Sequence, residues 1–241
     1  ISYFGYEGWP SQLVPDERLV RLAAPGEDAV AALVALASQV GGEPAPAPAP
    51  MEAVCSPEAD AALTPVSVVE ELLVQLPQDA VISLEGSTLG GPWLRNAHRA
   101  KRHRVMTNTG GAIGQGLPCA VGAALAQPDA RIVALQSDGS AQYTLQSLWT
   151  MAREGLKVTI IIAANHRYAI LQTELNRAEV PLDDKIVADL TKLDSPKVDW
   201  VALAKGYGVE AIRATTNGEL SAALRHGLTL DGPLLIQAEL P

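Results

Sequence analysis

Residues 131–171 read RIVALQSDGSAQYTLQSLWTMAREGLKVTIIIAANHRYAIL. Ile132 to Leu135 is a short apolar run with the β-branched content of a buried strand. A polar turn, Ser137-Asp138-Gly139-Ser140, follows. From Leu145 the apolar residues Leu145, Leu148, Trp149 and Ala152 fall at helical spacing, ending near Gly155. Val158 to Ala163 is a second apolar run, left by Asn165-His166-Arg167. Strand, helix and strand in this length predict a βαβ unit with a right-handed crossover. The fold class expected is therefore α/β: an open, mostly parallel sheet with helices on both faces.

That geometry puts Asp138 and Asn165 just past the carboxyl ends of two parallel strands. If the strands are neighbours, both side chains open into the crevice where open α/β sheets bind ligands. The turn at Gly139 and Ser140 leads into a helix N-terminus, whose free N–H groups favour an anion. A carboxylate, an amide oxygen and such a terminus suit a hard divalent cation held against a diphosphate. Mg²⁺ takes one or two protein oxygens and completes its shell with phosphate and water.

Working outward, residues 1–42 hold a turn-rich aromatic segment, a short strand (Leu19 to Leu22) and an amphipathic helix from about Gly26 to Val40. One strand and one helix cannot bury a core of their own. Ile1 does not read as a natural start, so the chain is expected to be part of a longer polypeptide. GGEPAPAPAP at residues 41–50 is an extended spacer that can form neither a helix nor a central strand. Domains are accordingly expected at 1–42 and 63–241, with a Pro/Ala-rich linker over 43–62.

Thr64 and Pro65 open a helix to about Leu76, and a strand Ala80 to Leu84 follows. The turn Glu85-Gly86-Ser87-Thr88 carries small hydroxyls, which read either as a helix cap or as phosphate donors. Arg95 to Arg104 (RNAHRAKRHR) reads as a solvated helix face or subunit contact. Gly110 to Pro118 (GGAIGQGLP) is glycine-dense, with no apolar strand before it, and fails the GxGxxG pattern because the third glycine position is Cys119. Such a loop lets backbone approach a flat ligand closely. By itself it reads as a tight turn before the Ala-rich helix that runs to about Ala126. Gln172 to Lys197 is polar and weakly periodic. The tail repeats helix and strand: Asp199 to Gly206, Val209 to Ala214, Asn217 to about His226, Leu234 to Ala238.

Composition narrows the classes. A net charge of −9 argues against nucleic acid as the main partner. No apolar run reaches the roughly 20 residues of a membrane span. Cys55 and Cys119 form no metal or redox spacing, and a cytoplasmic setting is expected.

Asp-Gly-Ser, a helix with Leu-Trp-Thr, an apolar strand, then Asn followed by Tyr resembles the thiamin-diphosphate motif of the 2-oxoacid decarboxylase and acetolactate synthase family. VDWVALAKGYGVEA in the tail is similar to benzoylformate decarboxylase, and the resemblance spans residues 63–241, more faintly 1–42. Where the family usually writes GDG and NN, this chain has Ser137 and Ala164 at the altered positions, and Glu85 stands where benzoylformate decarboxylase has asparagine.

The resemblance implies thiamin diphosphate with Mg²⁺ or Ca²⁺. The metal would be held by Asp138, Asn165 and the backbone of Arg167. Ser87, Thr88, Gly139, Ser140 and Tyr143 would meet the diphosphate. The Gly111 carbonyl and Ile113 would hold the aminopyrimidine ring, and Tyr168, Ala169 and Ile170 would complete the cofactor site. The region matching Gln172 to Lys197 helps close the active site in the family. A 2-oxo acid substrate, with decarboxylase or carboligase chemistry, is implied. So are a pyrimidine-binding domain of the same or a second subunit bearing the activating glutamate, and a homodimer or homotetramer. No catalytic residue is assigned within this chain, which is expected to be inactive alone. The alternative is a non-catalytic homologue that binds diphosphate or serves assembly.

Overall fold

The computed structural model describes residues 16–18, 20–41 and 53–241. It separates into two compact units, Ile1–Met51 and Glu52–Pro241. The aromatic segment at the start and the Ala-Pro run lie outside the described residues, as does Leu19. In the first unit, helix α1 spans Ala29–Val40, and Asp28 caps it by accepting the N–H groups of Val30 and Ala31. The expected strand is not formed: Val20 to Leu22 are irregular. These residues are largely exposed, and among the described residues neither a sheet partner nor a core selects extended pairing for them.

The second unit is built on one six-stranded sheet of order β2-β1-β3-β4-β6-β5. The strands are β1 (Val81–Leu84), β2 (Arg104–Thr107), β3 (Ile132–Ser137), β4 (Val158–Ala164), β5 (Glu210–Ala214) and β6 (Leu234–Glu239). Every pairing is parallel, so the sheet is wholly rather than mostly so. Before the first strand the chain runs through α2 (Pro65–Gln75), and between strands through α3 (Ser87–Asn96), α4 (Gly116–Ala126), the one-turn α5 (Asp138–Ala141), α6 (Ser147–Arg153), α7 (Ala169–Arg177), α8 (Lys185–Thr191), α9 (Trp200–Gly206) and α10 (Asn217–Thr229).

Strands buried on both faces read as near-continuous apolar runs, which is why VTIIIAA is broken only by Thr159. Alternate side chains feed two cores. Val133, Leu135, Ile161 and Ala163 pack with Val68, Leu72, Trp93, Leu220 and Leu224 from α2, α3 and α10. Ile132, Ala134, Val158, Ile160 and Ile162 pack with Leu117, Ala120, Leu148, Met151 and Trp200 from α4, α6 and α9. Thr64 and Ser67 form a reciprocal capping box at the start of α2.

Two stretches of regular structure carry only weak apolar patterns in the sequence. One is β2, a strand that precedes the glycine loop. It is an edge strand whose side chains are mostly exposed, so RVMT lacks the apolar run that marks a buried strand. The polar segment Gln172 to Lys197 holds the end of α7 and all of α8, capped by Asp184. Most of their side chains face outward, and the apolar periodicity of a half-buried helix is correspondingly weak.

Candidate functional site

From β1 the chain passes outward to β2, and from β3 it passes the other way to β4. The carboxyl ends of β1 and β3 therefore flank the topological switch point, the place where open α/β sheets bind ligands. A cavity of about 220 Å³ opens there. Its walls come from four segments: Glu85 to Thr88 after β1, Asn108 to Ile113 after β2, Ser137 to Ser140 at the end of β3, and Arg167 to Ile170 after β4.

Asp138 stands at the head of this cavity, 3% exposed. Its Oδ1 accepts the Gly139 N–H at 2.8 Å and its Oδ2 accepts the His166 N–H at 2.6 Å. Burial pushes its carboxyl above the ordinary value, and those two N–H groups oppose the rise. Asn165, also buried, sits just past the end of β4, the neighbour of β3. Its Oδ1 accepts the Arg167 N–H at 3.2 Å, and its amide lies 3.5 Å from the Thr88 hydroxyl. Two strand ends and the start of α3 are thus tied together by polar side chains.

Gly86 occupies the N-cap of α3 and offers no side chain, so the hydroxyls of Ser87 and Thr88 are not spent as its cap. Gly86 also lets the two strand ends pack closely: a Cβ there would lie 2.5 Å from the Ser137 nitrogen. Gly139 lies under the Tyr168 ring, with a would-be Cβ 2.6 Å from Cε1. Glu85 is buried, and its Oε2 accepts the N–H of Gly116 while Oε1 has no partner among the described residues.

Of the residues singled out from sequence, Ser87, Thr88, Gly111, Ile113, Asp138, Gly139, Ser140, Arg167, Tyr168, Ala169 and Ile170 line this one cavity. Asn165 lines an adjoining cavity that shares Ser87, Thr88, Arg167, Ala169 and Ile170. Tyr143 does not line the cavity; it is 62% exposed, with its Cβ against Gly114. Asn108 lines the cavity without having been singled out, and Glu85, Gly86 and Ser137, named from the sequence but not assigned to the cofactor, line it too. Asn108 follows β2 directly, and the signal for it was hidden with that strand.

Among the described residues, no three His, Cys, Asp or Glu side chains are grouped to hold a metal. The donors present are one carboxylate, one amide and backbone carbonyls, a set that suits a hard cation sharing its shell with phosphate oxygens. A larger cavity of about 670 Å³ opens among Asp79, Arg104, Arg131 and Lys157, at the amino ends of the strands. Ligand sites of this architecture form at the opposite ends, and the acidic and amide cluster is there too.

Residues 91–238 match the model of the thiamine pyrophosphate enzyme C-terminal TPP-binding domain. A Mycobacterium tuberculosis protein provisionally named an acetolactate synthase large subunit is 41% identical over 100% of this chain and 47% of its own length. Benzoylformate decarboxylase of Pseudomonas aeruginosa is 38% identical over 73% of this chain and 32% of its own. Among solved structures, the thiamine diphosphate-dependent 4-hydroxybenzoylformate decarboxylase of Rhodococcus jostii superposes with a TM-score of 0.72 at 28% identity, covering 87% of this chain and 38% of that one. The chain thus spans less than half the length of each of these relatives.

Proposed function

The chain belongs to the thiamine pyrophosphate enzymes, as a bearer of their C-terminal TPP-binding domain, and from that premise we propose that the cavity between β1 and β3 anchors the diphosphate of thiamin diphosphate through a divalent cation. The observation that carries this reading is the pairing of buried Asp138 and Asn165 at adjacent strand ends, beside the hydroxyls of Ser87 and Thr88.

In this reading Asp138, the Asn165 side chain and the Arg167 carbonyl hold Mg²⁺, or Ca²⁺ in its place. Ser87, Thr88 and Ser140 receive the diphosphate oxygens beside Gly139, whose own N–H donates to Asp138. Gly111 and Ile113 orient the ring end, and Tyr168, Ala169 and Ile170 shield it from water. When bound, thiamin diphosphate supplies a carbon nucleophile and an electron sink for decarboxylation or ligation of 2-oxo acids. The residues here bind and orient. The activating carboxylate would come from a pyrimidine-binding domain of the same or a second subunit, in a homodimer or homotetramer. Residues 63–241 would form the cofactor domain, and 1–42 would belong to a central domain. Turnover of a 2-oxo acid by the 241-residue chain by itself would overturn this division of labour.

The anchoring test is calorimetric titration of the full-length protein with thiamin diphosphate, with Mg²⁺ or with EDTA, beside Asp138→Ala. Binding should appear with Mg²⁺ and be lost with EDTA and in the variant. Binding indifferent to both would refute the metal-mediated anchor. A second reading, a non-catalytic diphosphate-binding homologue, draws on the buried carboxylate of Glu85 in the cavity wall. Cofactor binding by the full-length protein without turnover across a panel of 2-oxo acids would favour it.

A further inference from the structure

The glycine loop that lines the cavity ends at Gly116, the first residue of α4. Gln115, at the N-cap, gives α4 no side-chain bond. Its amide instead ties the loop to itself, accepting from the Thr109 N–H at 3.3 Å and donating to the Thr107 carbonyl at 3.0 Å. The missing cap arrives from the sheet. Glu85, one residue past β1, accepts the Gly116 N–H, and Ser83 within β1 donates to the Gly116 carbonyl at 2.7 Å. Gln136 of β3 closes the third side, since a Cβ on Gly116 would lie 2.1 Å from its Nε2. Gln136 is fully buried, and neither of its amide atoms has a partner among the described residues.

A side-chain oxygen on the first N–H of a helix satisfies an orphan donor that the helix itself cannot pair. Buried, that donor would be costly to leave without a partner. The main chain of Gly116 is thereby gripped at both its N–H and its C=O. The loop it terminates carries Gly111 and Ile113 into the cavity.

We infer that Glu85 is a positioning residue for the cofactor, acting through Gly116 to fix the loop Asn108–Gln115. This rests on the function proposed above. It also gives a role to a carboxylate that would otherwise only repel a diphosphate. The role requires an acceptor oxygen at position 85, not a negative charge.

Two variants of the full-length protein separate these properties. Glu85→Met keeps the volume and removes the acceptor; Glu85→Gln keeps an acceptor and removes the charge. Amide hydrogen exchange without cofactor reads the grip on the loop, and calorimetry with thiamin diphosphate and Mg²⁺ reads its consequence. Glu85→Met should speed exchange over residues 109–116 but not in β3 or β4, and should weaken cofactor binding about tenfold or more. Glu85→Gln should stay near the unaltered protein in both. Unchanged loop exchange in Glu85→Met, or a Gln variant as impaired as the Met variant, would overturn the inference. Should Glu85→Met not fold, the Gln variant carries the test alone: it must fold and protect Gly116. Failure of the cofactor reading would show separately, as absent binding by the unaltered protein, and exchange would still decide whether Glu85 holds the loop.

Discussion

Two alanine substitutions six residues apart in α4 should have opposite signs. At Gly116 an added Cβ would lie 2.1 Å from Gln136 Nε2 and 2.8 Å from Glu85 Cβ. Gln136 is fully buried and Glu85 nearly so, and the Glu85 contact is to a Cβ fixed by the strand, not to a free side-chain end. Overfilling a packed site of this kind costs about 1–3 kcal/mol. Little returns as helix propensity, because Gly116 is the first residue of the helix. At Gly122, mid-helix, an added Cβ meets nothing within 4 Å. There alanine should stabilise by roughly 0.4–1 kcal/mol through helix propensity and a less mobile unfolded chain. For a domain of this size each kcal/mol moves Tm by about 2–4 °C, so Gly116→Ala should lower it by about 2–12 °C and Gly122→Ala raise it by about 1–4 °C. Thermal unfolding followed by circular dichroism at one protein concentration reads both. A Gly116→Ala protein as stable as the parent would refute the claim that Glu85 and Gln136 converge on that residue.

Gly139→Ala would press a Cβ to 2.6 Å from the half-buried Tyr168 ring. The ring can swing, so Tm should shift little, while thiamin diphosphate affinity falls about tenfold as a cavity wall moves; calorimetry showing parental affinity would count against Gly139 as part of the site. Asp199 caps α9 through the Ala202 N–H and meets Arg213 at 3.1 Å, and these bonds outweigh burial to hold its carboxyl below the ordinary value. A depressed carboxyl adds stability above its unfolded pKa and loses it as pH falls through the folded one. Asp199→Asn should therefore flatten the decline of urea midpoints below about pH 4. Identical slopes in parent and variant would disprove that contribution.

Much of this was legible in the residues, for reasons that can be named. The β3–α6–β4 unit announced itself because strands buried on both faces are largely apolar, and because parallel neighbours force a helical crossover. Asp138 and Asn165 followed from strand ends alone. What stayed hidden lies where burial is partial. β2 is an exposed edge strand written RVMT at the end of a basic run, and with it went Asn108. α6 begins at Ser147, two residues later than the apolar spacing from Leu145 suggests, because backbone turns at Thr144, Leu145 and Gln146 lead into it. No local pattern reports that Glu85 caps a helix 31 residues away, since the two meet only through the sheet.

The charge of the cavity makes a cation necessary to the proposed anchor. Glu85 and Asp138 place two carboxylates in its walls. The one cationic side chain among its described lining residues, Arg167, directs its guanidinium to the Pro241 carbonyl at 2.9 Å and is exposed. A diphosphate entering such a site meets like charges in a partly desolvated space, where the repulsion is weakly screened. Hydroxyls and helix N–H groups can orient its oxygens but do not carry a full opposing charge. Asp138 would gain from a neighbouring cation, because burial pushes its carboxyl up against the opposing backbone N–H groups of His166, Gly139 and Asn165. A diphosphate site clamped by arginine and lysine could survive chelation; this arrangement should not, which is why loss of binding in EDTA is its sharpest test.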